Sequence, residues 1–164
     1  MIAEPIALFV DFDGVLHPFG IEALDENFEL IANPTLFCWR PVLEELLAPH
    51  PEVRIIVSSD WRRLFTDSVL VTLLGRDLGQ RFFGVVNRYN ESRAAEILAE
   101  VTQRRLRRWL AIDDHQTVFE ARRAGDERFI PCDPALGITG TTAKSELRSK
   151  LAIVCNDPPA CHDG

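Results

Sequence analysis

Lysine is almost missing from this chain: Lys144 and Lys150 are the only two in 164 residues, against sixteen arginines. Any fixed cation needed before residue 144 must therefore be an arginine. No apolar run approaches the roughly 18 residues that a membrane-spanning helix needs, so none is expected. The opening stretch MIAEPIALFVDFDG has no basic region and no small-residue cleavage site, and it is not read as a secretory signal. Four cysteines, Cys38, Cys132, Cys155 and Cys161, form no CxxC pair. They are expected to be free thiols of a reducing, cytoplasmic compartment. Cys155, Cys161 and His162 are metal-binding residue types, but their spacing matches no specific metal pattern. Excess positive charge is absent too. The formal charge of −7 argues against non-specific binding to nucleic acid or anionic lipid. Repeats and low-complexity segments are not found.

What remains is an ordinary globular composition, 46% hydrophobic and 26% charged, long enough for one domain with a full core. Five strand-like runs recur: Ile6–Phe12, Val53–Val57, Phe83–Val86, Trp109–Ile112 and Arg128–Pro131. Helical patterns separate them, at Pro41–Leu47, Arg62–Leu74, Glu91–Gln103, Thr117–Arg123 and Thr142–Val154. In the third of these Ala94, Ile97, Leu98 and Val101 share one face. Strands alternating with helices predict an α/β, three-layer Rossmann-like domain around a parallel sheet of about five strands. The domain is expected over 1–154, with 155–164 as a flexible tail. Residues 17–40 break the alternation. They are read either as a lid or as a surface elaboration packed by Phe28, Phe37 and Trp39.

Ligands of such sheets bind outside the carboxyl ends of the strands. Each of those ends carries polar residues here. DFDG places Asp11, Asp13 and Gly14 after the first strand, SSDWR places Ser58 and Ser59 after the second, and DDH places Asp113 and Asp114 after the fourth. Arg93 opens a helix 20 residues before Asp113. Four carboxylates at one edge repel one another, and burial raises the cost of ionising them. A hard divalent cation such as Mg²⁺, which prefers oxygen ligands, offsets that repulsion.

Taken in this order, the motifs resemble the haloacid dehalogenase (HAD) superfamily of phosphohydrolases over roughly residues 6–140. DFDGV is similar to its first motif, RIIVSS to its second and LAIDD to its fourth, and Arg93 stands where a Lys or Arg of the third falls. SSDWR and DPALGIT also resemble a subgroup of small, capless members found with RNA-repair modules. The resemblance implies that Asp11 attacks phosphorus and forms an aspartyl-phosphate. A carboxylate suits this because it is ionised at neutral pH without a base. Asp13 would protonate the leaving oxygen and then deprotonate water. Mg²⁺ would bridge Asp11, Asp113 or Asp114 and the substrate, with Asp13 contributing its carbonyl. Ser58 or Ser59 would donate to a phosphate oxygen, and Arg93 would offset phosphate charge. Arg62 and Arg88 are rivals for that cationic role.

Other signals have bland readings. His17 and His115 read as ordinary loop histidines. Arg104–Arg108, RRLRR, reads as a solvated helix end favoured by the helix dipole. Trp39 and Trp61 could stack on a base, shield the site or fill the core. The expected function is thus a Mg²⁺-dependent phosphomonoester phosphatase, monomeric or homodimeric and without a membrane partner. Its substrate would be a small metabolite or a phosphorylated nucleic-acid end. The alternative is a non-catalytic phosphate- or nucleic-acid-binding module on the same scaffold.

Overall fold

A computed structural model describes residues 4–157 of the chain. Five strands form one all-parallel sheet: β1 (Ile6–Val10), β2 (Val53–Val57), β3 (Phe82–Val85), β4 (Arg108–Asp113) and β5 (Phe129–Pro131). Their spatial order is β3-β2-β1-β4-β5, so the first strand of the chain lies in the middle. Every residue of β1 is buried. This is why its sequence, IALFV, is continuously apolar rather than alternating.

The two-residue period of β1 sends its side chains to two separate cores. Ile6, Leu8 and Val10 pack on one face with α1 (Arg40–Leu47), α2 (Asp67–Gly79) and α5 (Thr141–Asn156), through Leu43, Leu47, Leu70, Leu74, Leu147 and Leu151. Ala7 and Phe9 pack on the other with α3 (Arg93–Arg104) and α4 (Gln116–Arg123), through Ala94, Ile97 and Val118. Helices therefore cover both faces, which makes the three layers. Each fully buried Leu or Phe adds roughly 1.5–3 kcal/mol of burial.

Several boundaries differ from the sequence reading. The helix expected from Arg62 is a single 3₁₀ turn, Asp60–Arg63, followed by a break and then by α2. Ser59 caps that turn, accepting from the Trp61 N–H at 3.3 Å, and Thr66 caps α2. Within α2, Gly75 has φ 81° and ψ 178°, which kinks the helix. The kink frees the Leu73 carbonyl, which accepts from Arg40 Nη1 at 2.8 Å. A Cβ on Gly75 would lie 3.0 Å from the Arg40 guanidinium carbon. Helix α5 runs to Asn156, two residues into the expected tail. Cys161 and His162 lie outside the described residues.

Residues 17–40 form turns and one antiparallel bridge, Leu24 to Leu30. Phe37 packs into the core and Trp39 is half-buried, but Phe28 is 72% exposed and lies outside the core, contrary to the sequence reading. No described helix is long and apolar enough to cross a membrane.

Candidate active site

The parallel registers bring three strand ends to one height. Val10 pairs with Val57 on one side and with Ile112 on the other. The next residues are therefore Asp11, Ser58 and Asp113, side by side. Backbone bonds extend the ladder past the strands: the Ser58 N–H donates to the Val10 carbonyl at 3.0 Å and the Asp11 N–H to the Ile112 carbonyl at 3.3 Å.

Asp11, Asp113 and Asp114 form a cluster, each offering a carboxylate oxygen within 4.8 Å of the others. Asp113 is fully buried, Asp11 is 4% exposed and Asp114 is partly buried. Gly14 makes room for this approach. Its φ is 73°, and a Cβ there would sit 2.1 Å from Asp114 Oδ2. Arg93, the first residue of α3, reaches in from the side. Its Nη1 lies 2.8 Å from Asp113 Oδ2 and 3.2 Å from Asp11 Oδ1, and its Nη2 lies 3.5 Å from Asp60 Oδ1.

One guanidinium does not balance three crowded carboxyls. Burial pushes Asp11 up to about 7, and Asp114 adds to the rise while Arg93 opposes it. Burial also pushes Asp113 up to about 7, with the Asp11 charge adding to it. Asp114 is raised as well, chiefly by burial. Burial works against the charge on Arg93, but Asp113 and Asp11 outweigh it and hold the guanidinium above its ordinary value. An all-oxygen donor set with excess negative charge fits a hard divalent cation such as Mg²⁺.

The sequence reading gathered four acids at this edge, and the structure brings together the carboxylates of three. Asp13 is turned away from the cluster. Its Oδ2 accepts from the Trp61 indole Nε1–H at 2.8 Å, and its Oδ1 lies 2.8 Å from His17 Nε2. The Phe37 N–H donates to His17 Nδ1 at 3.2 Å, so in neutral His17 the ring proton sits on Nε2 and is donated to Asp13. His17 is fully buried, with Phe37 and Trp61 packed edge-on or tilted against it. It is not the ordinary loop histidine of the sequence reading. His115 does fit that description, as the exposed cap of α4.

The two serines differ. Ser59 Oγ is engaged in its cap, whereas Ser58 Oγ is buried without a hydrogen-bond partner among the described residues. The rival arginines also separate. Arg62 is buried and bound by the carbonyls of Ser58, Val86 and Arg88 and by Glu96 at 2.7 Å, so it braces the loops behind the site. Arg88 supplies a backbone carbonyl to that brace. Sequence reasoning missed both the Arg62–Glu96 pair and the His17–Asp13–Trp61 triplet. The only local sign of the second was His17 four residues after Asp13.

Beside Asp13 a cleft of about 330 Å³ opens to solvent, lined by Asp13, Ile21, Ala23, Leu24, Asp60, Trp61 and Leu64. Residues 17–40 thus form one wall of the cleft. A family model described as "HAD domain in Swiss Army Knife RNA repair proteins" matches residues 7–143. A search of curated proteins gives no match.

Proposed function

This chain belongs to the HAD domains of Swiss Army Knife RNA repair proteins, and from that membership we propose that it is a Mg²⁺-dependent phosphatase working through an aspartyl-phosphate on Asp11. The observation that carries the reading is the meeting of Asp11, Asp113, Asp114 and Arg93 at one strand edge, with Asp13 fixed beside them. Mg²⁺ held by Asp11, Asp113 and Asp114, with the Asp13 carbonyl as a further ligand, would neutralise the acids and polarise the phosphoryl group.

The chain's own residues supply the rest. A carboxylate oxygen of Asp11 attacks phosphorus and the bond to the leaving oxygen breaks. Asp13 passes its proton to that oxygen. In the second half, Asp13 takes a proton from water as the water oxygen attacks phosphorus, releasing inorganic phosphate and regenerating Asp11. Ser58 Oγ donates to a phosphate oxygen, a role supported by its unspent hydroxyl. Arg93 offsets charge on the phosphoryl oxygens. Arg in place of Lys keeps that charge permanent and offers two donors.

The family's printed description concerns RNA repair, so a phosphate at an RNA end is the substrate to test first, against sugar phosphates and mononucleotides. The decisive comparison is Mg²⁺-dependent phosphate release by wild type and Asp11→Asn. Turnover in wild type that falls at least about 10³-fold in the variant supports the proposal. Equal, negligible turnover in both leaves a phosphate-binding module instead.

A further inference from the structure

A second cluster of metal-binding side chains lies at the opposite edge of the sheet. His50 and Glu52 flank Pro51 in the lead-in to β2, and Cys155 sits in the last turn of α5. The His50 imidazole, the Glu52 carboxylate and the Cys155 thiol each offer a ligand atom within 4.8 Å of the other two. They are half-buried or exposed, so an ion can reach them. Their chemistry differs from that of the active site. Nitrogen, oxygen and sulfur together suit Zn²⁺, whereas three carboxylates suit Mg²⁺.

The frame is set before any ligand arrives. The His50 N–H donates to the Leu47 carbonyl at 2.9 Å, and the His50 carbonyl accepts from the Val53 N–H at 3.2 Å and from Arg81 Nη1 at 2.7 Å. Cys155 is carried by the helix that packs Leu147 and Leu151 into the core. Burial and the Glu52 carboxylate push the Cys155 thiol up to about 12, and Arg108 opposes them.

We propose that His50, Glu52 and Cys155 bind a zinc-type transition-metal ion that fastens the end of α5 to the lead-in of β2. On binding, the Cys155 thiol gives its proton to solvent and a sulfur–metal bond forms. Glu52 binds ionised and His50 binds neutral, and no redox change occurs. A fourth position is left for water.

The test uses the full-length protein, stripped with a chelator and titrated with Co²⁺ as a spectroscopic stand-in for Zn²⁺. The expected result is a near-ultraviolet thiolate-to-cobalt charge-transfer band at one equivalent, with Zn²⁺ displacing Co²⁺. The band should vanish in Cys155→Ser and bind at least about tenfold more weakly in His50→Ala. Asp113→Asn, at the other edge, should keep the band. A raised melting temperature with Zn²⁺ in wild type, absent in His50→Ala, checks that the ion ties down folded protein. No band, or a band that survives Cys155→Ser or is unweakened in His50→Ala, overturns the proposal. None of these readouts requires phosphatase activity.

Discussion

Asp13 accepts one hydrogen bond on each carboxylate oxygen, from His17 and from Trp61. In the proposed reaction it must present a proton to the leaving oxygen, so its direction matters as much as its charge. Proton donation is worth most for a poor leaving group and little for a good one. Replacing His17 by Phe should therefore slow hydrolysis of an alkyl phosphate by about tenfold or more, while sparing 2,4-dinitrophenyl phosphate. Replacing it by Gln keeps a side-chain N–H near Asp13 and should restore much of the loss. Parallel steady-state assays of both esters decide it. Equal losses on both would show that His17 serves packing alone. The sequence showed Asp13 and His17 four residues apart but not their bond, because that bond depends on Phe37, twenty residues further on, fixing the ring.

The kink of α2 belongs to the scale of elements. Gly75 takes a left-handed φ, and Arg40 from the neighbouring helix fills the space beside it while satisfying the Leu73 carbonyl. Alanine at this position should cost about 1–3 kcal/mol, because φ 81° with ψ 178° lies in a region open essentially to glycine alone, with crowding against Arg40 added. A lower urea midpoint with unchanged cooperativity would report it, and an unchanged midpoint would contradict it. The same scale shows what the sequence could convey. The apolar runs that became β1, β2 and β4 were legible because strands buried on both faces read as continuous hydrophobic stretches. The kink was not: the expected helix stopped at Leu74, whereas α2 continues through Gly75 to Gly79, because a Gly at that point reads equally as a helix end or as a bend. The three-residue β5 was found one residue too long, and the Arg62–Glu96 brace was hidden by the 34 positions that separate its partners.

At the scale of the whole molecule the acid cluster links stability to pH and metal. Asp11 and Asp113 are raised from an ordinary 3.8 to about 7 in the fold. A carboxyl raised on folding contributes stability below its ordinary value, and that contribution is lost as pH rises through the folded value. Glu146 works in the opposite sense. Although burial alone would raise it, Arg122 and Lys150 hold it below its ordinary value, so its contribution is lost as pH falls. In chelator the urea midpoint should therefore decline from about pH 5, where the Glu146 contribution is in place, to about pH 7. With Mg²⁺ present the decline should flatten, because the ion binds the ionised acids of the folded state. Curves that coincide with and without Mg²⁺ would count against metal binding at this cluster. The exact partners in the cluster were less legible than its existence: the order of motifs marked an acid-rich edge, but only the bonds from Trp61 and His17 showed Asp13 facing elsewhere.

That register, Val10 between Val57 and Ile112, has a consequence for how the chain can vary. Two peptide ladders across three strands act as a vernier, aligning Asp11, Ser58 and Asp113 residue against residue. Deleting a single residue inside any of those strands would slide one mark against the other two and turn its side chain to the wrong layer. Length changes are better tolerated in the stretches between the marks, such as the part of 17–40 between His17 and Phe37, where new contacts to a substrate can be drafted without disturbing the scale against which the reacting groups are read.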